Sequence, residues 1–190
     1  MRAFFFPLVV LATLASGCAS TEAPPVMQGD VMARYADNSA QVGIGGTLVA
    51  PEIAFEPCEA ATLQGGPATF TFEGNEGAVT LDLPDAELCG IRIVVTELII
   101  EAEDDGVAKT VVGQDFDFWV PGEAIPTEGG LVLQLGNSTW LEDFLPLAGE
   151  GTTTLNSEAD EDLLVAFYDG LHQGSSLDAQ NTIVEQNEAE

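Results

Sequence analysis

The run from Cys89 to Ile100 is the most apolar stretch after residue 17 and is rich in β-branched side chains. Because such side chains favour a pleated, packed surface, we predict that the run is the central strand of an all-β domain. Strict alternation along it would place Glu97 among aliphatic side chains. We therefore predict a β-bulge, or a break into two strands, near Thr96. The shift would align these residues on the core side: Ile91, Ile93, Val95, Leu98 and Ile100.

Alternating patterns predict further strands on both sides of this run. Residues 69–73 and 79–83 alternate apolar and polar side chains, and residues 74–77 between them are Gly-Asn-Glu-Gly. An alternating pair joined by residues that tolerate positive φ is typical of a hairpin. Additional strands are predicted at residues 42–49, 107–112, 114–120 and 131–135.

Together these patterns predict a mainly antiparallel β-sandwich of about seven to nine strands. One or two helices are expected near the C-terminus, at residues 139–145 and 158–170, where possible capping residues and an apolar stripe occur. We expect one β-sandwich domain over residues 41–180, followed by an acidic tail at 181–190.

The charge balance excludes some classes of function. The chain has 32 acidic residues against four Lys and Arg, a formal net charge of −28. This composition excludes an extended basic surface for nucleic acid, and it gives no electrostatic attraction to anionic lipid headgroups. Two interpretations of the acidity stay open. The acids form a solvated, self-repelling surface suited to salty surroundings, or some of them cluster to bind cations.

The N-terminal residues have the order of a secretory signal peptide. Arg2 precedes an apolar segment at 3–14 that is too short to span a bilayer, and small residues follow. The sequence Ala15-Ser16-Gly17-Cys18 resembles the lipobox of bacterial lipoprotein precursors, although the usual leucine three places before the cysteine is here Ala15. The alternative is cleavage by an ordinary signal peptidase, which would release a soluble product.

The lipoprotein resemblance implies several properties. Residues 1–17 would be removed, Cys18 would carry the lipid, and several acyl chains would anchor the protein stably in a membrane. The uncharged Ala19 resembles the signal for sorting to the outer membrane of the bacterial envelope. Residues 18–40 would then form a lipidated N-terminus and flexible tether, because Pro24-Pro25 disfavours both helix and central strand.

With Cys18 assigned to lipid, Cys58 and Cys89 are the remaining cysteines. In an oxidising compartment they predict a disulfide. Closing a loop of about thirty residues would stabilise the fold by about 3–4 kcal/mol in the chain-entropy model. Two thiols and one distant histidine do not make a zinc-binding set, so we predict no metal site and no cofactor.

One surface is a candidate for ligand binding. Alternation at residues 114–120 places Asp115, Asp117 and Trp119 on one face and Phe116, Phe118 and Val120 on the other. Carbohydrate sites often combine an aromatic face with carboxylates, so the first set is a possible sugar platform. An exposed tryptophan more often covers a sheet edge or packs under a loop.

Two other patterns favour structural roles. Residues 101–106 place acids at the first, third and fifth positions of a calcium-loop pattern, but the twelfth position is Val112, so a hairpin turn at Asp105-Gly106 is the better interpretation. His172, near Asp169 and Ser175, has no nucleophile elbow to support a catalytic triad. We expect it to lie at a helix C-terminus, where the helix dipole favours a cation.

These observations predict a non-catalytic envelope lipoprotein that acts as an exposed interaction or structural module. Its partner would be the membrane through the N-terminal lipid, together with an envelope protein or glycan. The alternative is a lipoprotein module that binds Ca²⁺ or a glycan, with Asp115, Asp117 and Trp119 as the binding residues.

Overall fold

The computed structural model describes residues 23–36, 45–156 and 158–180. Three predictions lie outside these ranges: the signal peptide, the lipidation of Cys18 and the acidic tail at 181–190. Within the described ranges, no helix is both long and apolar enough to cross a membrane.

The described residues form nine strands and two short helices. The strands are β1 Val26–Tyr35, β2 Gly45–Pro57, β3 Leu63–Glu73, β4 Glu76–Pro84, β5 Leu88–Asp104, β6 Val107–Ile125, β7 Leu131–Leu135, β8 Gly151–Leu155 and β9 Ser176–Ala179. The helices are α1 Trp140–Phe144, continued by a 3₁₀ turn at Leu145–Leu147, and α2 Glu161–Gly174. An all-β fold with few helices is confirmed.

The strands form one curled, mixed sheet in the order β8-β6-β5-β2-β3-β4-β1-β7-β9. Neighbouring strands are antiparallel except in two ladders, β1–β7 and β6–β8, which are parallel and were not predicted. The ladder between β3 and β4 consists of the pair Glu73–Glu76 at the predicted turn. The sheet curls so far that β9, at one end of the order, comes within 8 Å of β6.

The predicted tether is wrong over Val26–Tyr35. These residues form β1, which pairs with β4 on one side and with β7 on the other. Val31, Ala33 and Tyr35 alternate inward and are buried, so the folded part begins well before residue 41. Burial of this short period-2 pattern outweighs the Pro24-Pro25 signal, which acts only on the residues before the strand.

Strand β5 shows the predicted change of face without the predicted break. Its buried side chains are Ile91, Ile93 and Val95, followed by Leu98 and Ile100, so the inward phase shifts across Thr96-Glu97. The ladders to β2 and β6 keep the same register on both sides of this point, because both neighbours shift at the same level. The irregularity is therefore shared by three strands rather than a bulge in one of them.

The helices close one end of the core. Trp140 of α1 is buried, and its indole N–H donates to the Phe167 carbonyl of α2 at 2.9 Å. The first turn of α2 is capped by Asp160, whose carboxylate accepts from the backbone N–H groups of Asp162 and Leu163. The helix is thus placed three residues later than predicted at its start and ends at Gly174.

The predicted disulfide is confirmed. Cys58 follows the last residue of β2 and Cys89 is the second residue of β5, with their Cα atoms 4.8 Å apart. The backbone N–H of Cys58 also donates to the Glu87 carbonyl at 2.9 Å. The bond therefore fixes the end of β2 to the start of β5, its neighbour in the sheet.

Candidate ligand-binding surface around Trp119

Trp119 lies on the solvent side of β6, as alternation predicts. Its neighbours Phe118 and Val120 are buried, whereas the Trp119 side chain is 45% exposed. The register places Trp119 directly opposite Arg92 of β5. Two neighbouring residues, Gly90 and Glu56, hold this exposed indole in place.

The indole ring packs on the backbone at Gly90, which forms a flat bed for it. A Cβ atom built on Gly90 would lie 2.5 Å from Trp119 Nε1 and 2.8 Å from Cζ2. The ring therefore packs directly on the backbone of β5, in the space that any side chain at Gly90 would fill. The glycine is buried although it faces outward, because the indole covers it.

Glu56 fixes the direction of the ring. The Trp119 Nε1–H donates to Glu56 Oε2 at 2.9 Å, and Glu56 is the residue of β2 opposite Gly90. The indole thus reaches from β6 across β5 to β2. One ring face is covered by the sheet, while the exposed fraction of the side chain belongs to the remaining ring surface.

An ion pair borders the indole. Arg92 donates from Nε and Nη2 to Asp117 Oδ2 at 3.1 and 2.8 Å, and both side chains are about half exposed. A pair this exposed contributes little to stability. Its effect is to hold the Arg92 guanidinium at Asp117.

Asp115 lies at the other end of this surface. It is exposed and has φ +53°, a left-handed conformation, at the point where β6 changes face. A shallow depression of about 310 Å³ lies here, with Arg92, Val94, Thr96, Asp115 and Asp117 in its lining. The structure therefore brings Asp115 and Asp117 together around one depression, and Trp119 follows on the same face.

We name Glu56, Gly90, Arg92, Asp117 and Trp119 the Trp119 surface. Arg92 and the two carboxylates leave it with a net negative charge, and the aromatic ring supplies an apolar area. Such a combination suits a ligand with both polar hydroxyl or ammonium groups and an apolar ring face.

The acidic hairpin at residues 101–106 is a turn, as interpreted from the sequence. Asp105 and Gly106 both have positive φ, at 52° and 79°, and Asp104 pairs with Val107 across the hairpin. Asp104 Oδ2 accepts from Lys109 Nζ at 2.7 Å instead of facing a cation site. Within the described residues, no group of three or more His, Cys, Asp or Glu side chains could hold a metal ion.

His172 and Ser175 lie at the C-terminal end of α2. His172 is exposed in the last turn of the helix, with its ring at 6.3 Å from that of Phe118. The Ser175 hydroxyl is buried, donates to the Leu171 carbonyl at 2.6 Å and accepts from the Gly136 N–H at 3.0 Å. The first bond closes the end of the helix, and the second joins that end to the residue after β7.

A second depression of about 330 Å³ lies at the end of β1 and has a polar lining, which includes Arg34, Asn75, Gln134, Asn137 and Ser176. The register places Arg34 opposite Glu76, an acid of β4. The Gln134 side chain donates to Asp178 at 2.9 Å. The aromatic residue in the lining, Tyr35, is 1% exposed, so it offers no exposed ring face comparable to that of Trp119.

Sequence reasoning found the indole and missed what holds it. Gly90 and Glu56 are separated by 34 positions in sequence. They meet only because β2 and β5 are adjacent, in a register that pairs Glu56 with Gly90. A glycine inside an otherwise β-branched strand was the available signal, since such a residue often marks close approach of another group.

Comparisons of the chain with protein-family models, curated proteins and solved structures give no match.

Proposed function

We propose that this protein is a non-catalytic binding module of the bacterial cell envelope, held at the outer membrane by a lipid on Cys18. The anchor is supported by the lipobox-like sequence Ala15-Ser16-Gly17-Cys18. The observation that carries the binding role is the state of Trp119, which is 45% exposed yet held by a hydrogen bond and a glycine bed. A half-exposed aromatic ring held in one orientation is the kind of group that interfaces use as an anchor.

Metabolic labelling with palmitate tests the anchor. The wild-type chain should incorporate label and fractionate with membranes, and Cys18→Ala should lose both properties. The matched control is the double variant Cys58→Ser/Cys89→Ser, which keeps the proposed lipidation cysteine and should stay labelled. Export of an unlabelled wild-type chain would refute the lipid anchor and leave the binding role to its own test.

We propose glycan binding as the specific form of this role. Its support is the geometry of the Trp119 surface: an aromatic ring seated on Gly90, bordered by Glu56 and by the Arg92–Asp117 pair. Carboxylates accept hydrogen bonds from sugar hydroxyls, while the apolar ring face packs on sugar C–H groups. The calcium alternative has no comparable cluster among the described side chains.

A glycan array with the wild-type chain and Trp119→Ala tests this form. Binding should be lost in Trp119→Ala and retained in Val165→Ala, which truncates an apolar side chain on α2 that is 52% exposed. Glycan binding that is the same in both variants would place the site elsewhere.

We propose in addition that the curled sheet packs as a sandwich. One layer would be β8-β6-β5-β2-β3 and the other β4-β1-β7-β9; the β3–β4 pair joins them, and they approach each other again where β9 comes within 8 Å of β6. This arrangement would leave the outer face of β2, β5 and β6, with Trp119, toward solvent.

A further inference from the structure

We propose that the Trp119 surface selects sugars that carry a protonated amine over neutral sugars. The inference rests on the proposed glycan binding and names the ligand class within it. Three observations carry it: the open face of the indole, the carboxylates around it, and the position of Glu56.

The first observation is the exposed indole. The face of a tryptophan ring carries the negative part of its quadrupole and attracts cations more strongly than the rings of Tyr or Phe. Trp119 cannot turn this face away, because its N–H is bonded to Glu56 and its inner face rests on Gly90. A cationic group within about 6 Å of the ring would therefore meet a preorganised partner.

The second observation is the local charge. Glu52 and Glu56 of β2 lie opposite Val94 and Gly90 of β5, and Asp117 of β6 also lies opposite Val94. Against these three acids stands Arg92, whose guanidinium is bonded to Asp117. The two glutamates are thus uncompensated within this group, and the whole chain, at −28, raises the local concentration of cations.

The third observation separates the two roles of Glu56. Its Oε2 accepts the indole N–H, a bond to a neutral donor that leaves the carboxylate charge in place. Glu56 is therefore a positioning residue for the ring and also a charge beside the ligand. A Glu56→Gln variant keeps a side-chain oxygen that can accept the indole N–H but removes the charge, so it separates these roles.

The test compares two oligosaccharides of equal length. The full chain is titrated with a glucosamine tetramer and with an N-acetylglucosamine tetramer at about pH 6, where amines of this kind are protonated. We expect the glucosamine tetramer to bind about tenfold more tightly at low salt, and this preference to shrink as salt screens the charges.

Variants locate the effect. Trp119→Ala should abolish binding of both tetramers, and Glu56→Gln should weaken the glucosamine tetramer about three- to tenfold more than the N-acetylglucosamine tetramer. The matched control is Glu103→Gln, which removes an exposed charge from the far end of β5, about 40 Å along the strand from Gly90, and should change neither affinity. If a neutral quencher reduces the tryptophan fluorescence of Glu56→Gln as much as that of the wild type, the Trp119 ring keeps its position.

Each outcome has a consequence. Equal affinity for both tetramers would overturn the amine preference and leave glycan binding intact. If neither tetramer binds and no glycan on the array is bound, the proposed function itself is overturned. Equally tight binding of an oligolysine of the same charge would replace the sugar ligand by a cationic peptide and overturn this proposal.

Discussion

Tyr35 places a phenol hydroxyl in the core, where none of the described residues forms a hydrogen bond with it. It ends β1, is 1% exposed, and stacks on Phe72 with ring centroids 4.5 Å apart. Burial without a partner costs free energy, and desolvation also raises the pKa of this phenol above its usual value. The ring packs well, while its hydroxyl contributes no bond.

We expect Tyr35→Phe to stabilise the fold by about 1 kcal/mol at pH 7, because the variant keeps the ring and removes the unpaired group. The raised pKa also predicts alkaline sensitivity. Wild-type stability should be fully present below about pH 10, the pKa of an unfolded tyrosine, and should fall as pH rises above it.

The measurement is urea unfolding at pH 7 and at increasing pH. Tyr35→Phe should flatten the alkaline decline without abolishing it, because burial raises the pKa of Tyr168 as well. Tyr168→Phe is the control and should leave stability at pH 7 nearly unchanged. A loss of more than about 1 kcal/mol in Tyr35→Phe would show that the hydroxyl does find a partner.

Gly90 is the residue whose size decides where the Trp119 ring lies. In Gly90→Ala the new methyl group would meet the indole at 2.5 Å, so the ring must leave its bed and give up the bond to Glu56. We expect greater quenching of Trp119 fluorescence by acrylamide, a neutral quencher, and a stability loss of only about 1 kcal/mol. Trp140, at 1% exposure, supplies a constant background. Gly149→Ala, at an open position, should give wild-type quenching.

At the scale of elements, α2 depends on a glycine inside the helix. A Cβ on Gly170 would overlap the buried Trp140 ring of α1, which is held by its bond to the Phe167 carbonyl. Ala is favoured over Gly by about 1 kcal/mol in a helix, but overpacking a core costs about 1–3 kcal/mol. The close approach of two helices should therefore outweigh intrinsic propensity at this position.

We expect Gly170→Ala to destabilise the fold by about 1–2 kcal/mol, measured by thermal or chemical unfolding. A double-mutant cycle provides the control: in a Trp140→Phe background, where the ring is smaller, the same glycine substitution should cost less or become stabilising. Additive effects of the two substitutions would contradict the overlap.

The elements found from sequence are those with strong local patterns. The β5 run, the turn at Asp105-Gly106 and strand β7 at Leu131–Leu135 were all predicted, because alternation and turn chemistry are local properties. The change in which side chains of β5 face inward at Thr96-Glu97 was predicted, because burying Glu97 among aliphatic residues is costly. That β2 and β6 change face at the same level was not predicted, since this depends on which strands are adjacent.

The missed elements are short or depend on distant partners. Strands β8 and β9 have five and four residues, and β1 shows only the period-2 pattern of Val31, Ala33 and Tyr35. Each becomes a strand because a neighbouring strand pairs with it: β6 pairs with β8, β7 pairs with β9, and β4 and β7 pair with β1. Gly90, on which the Trp119 ring packs, and Glu56, which accepts its N–H, were missed for the same reason. The register between β2 and β5 cannot be deduced from either strand alone.

At the scale of the whole molecule, the disulfide joins the end of β2 to β5, the strands that hold Glu56 and Gly90 beside the Trp119 ring. Replacing both cysteines in Cys58→Ser/Cys89→Ser frees a loop of 31 residues. We expect a loss of about 3–4 kcal/mol in the free energy of unfolding, measured with guanidinium chloride. Reductant should lower wild-type stability to the same level and leave the double variant unchanged; a reductant effect on the variant would argue against the assignment.

If Cys18 carries the proposed lipid, strand β1 would transmit load from the anchor to the sheet. Only eight positions separate Cys18 from Val26, a span of at most about 28 Å. A pull on the proposed anchor would therefore reach the start of β1, and its component along the strand would act on both ladders of β1. Because β1 is bonded to β4 over Val26–Arg34 and to β7 over Val31–Tyr35, the force would shear two ladders at once rather than peel one open. A protein attached in this way would resist extraction by the combined strength of both ladders, and rupture would begin inside the sheet.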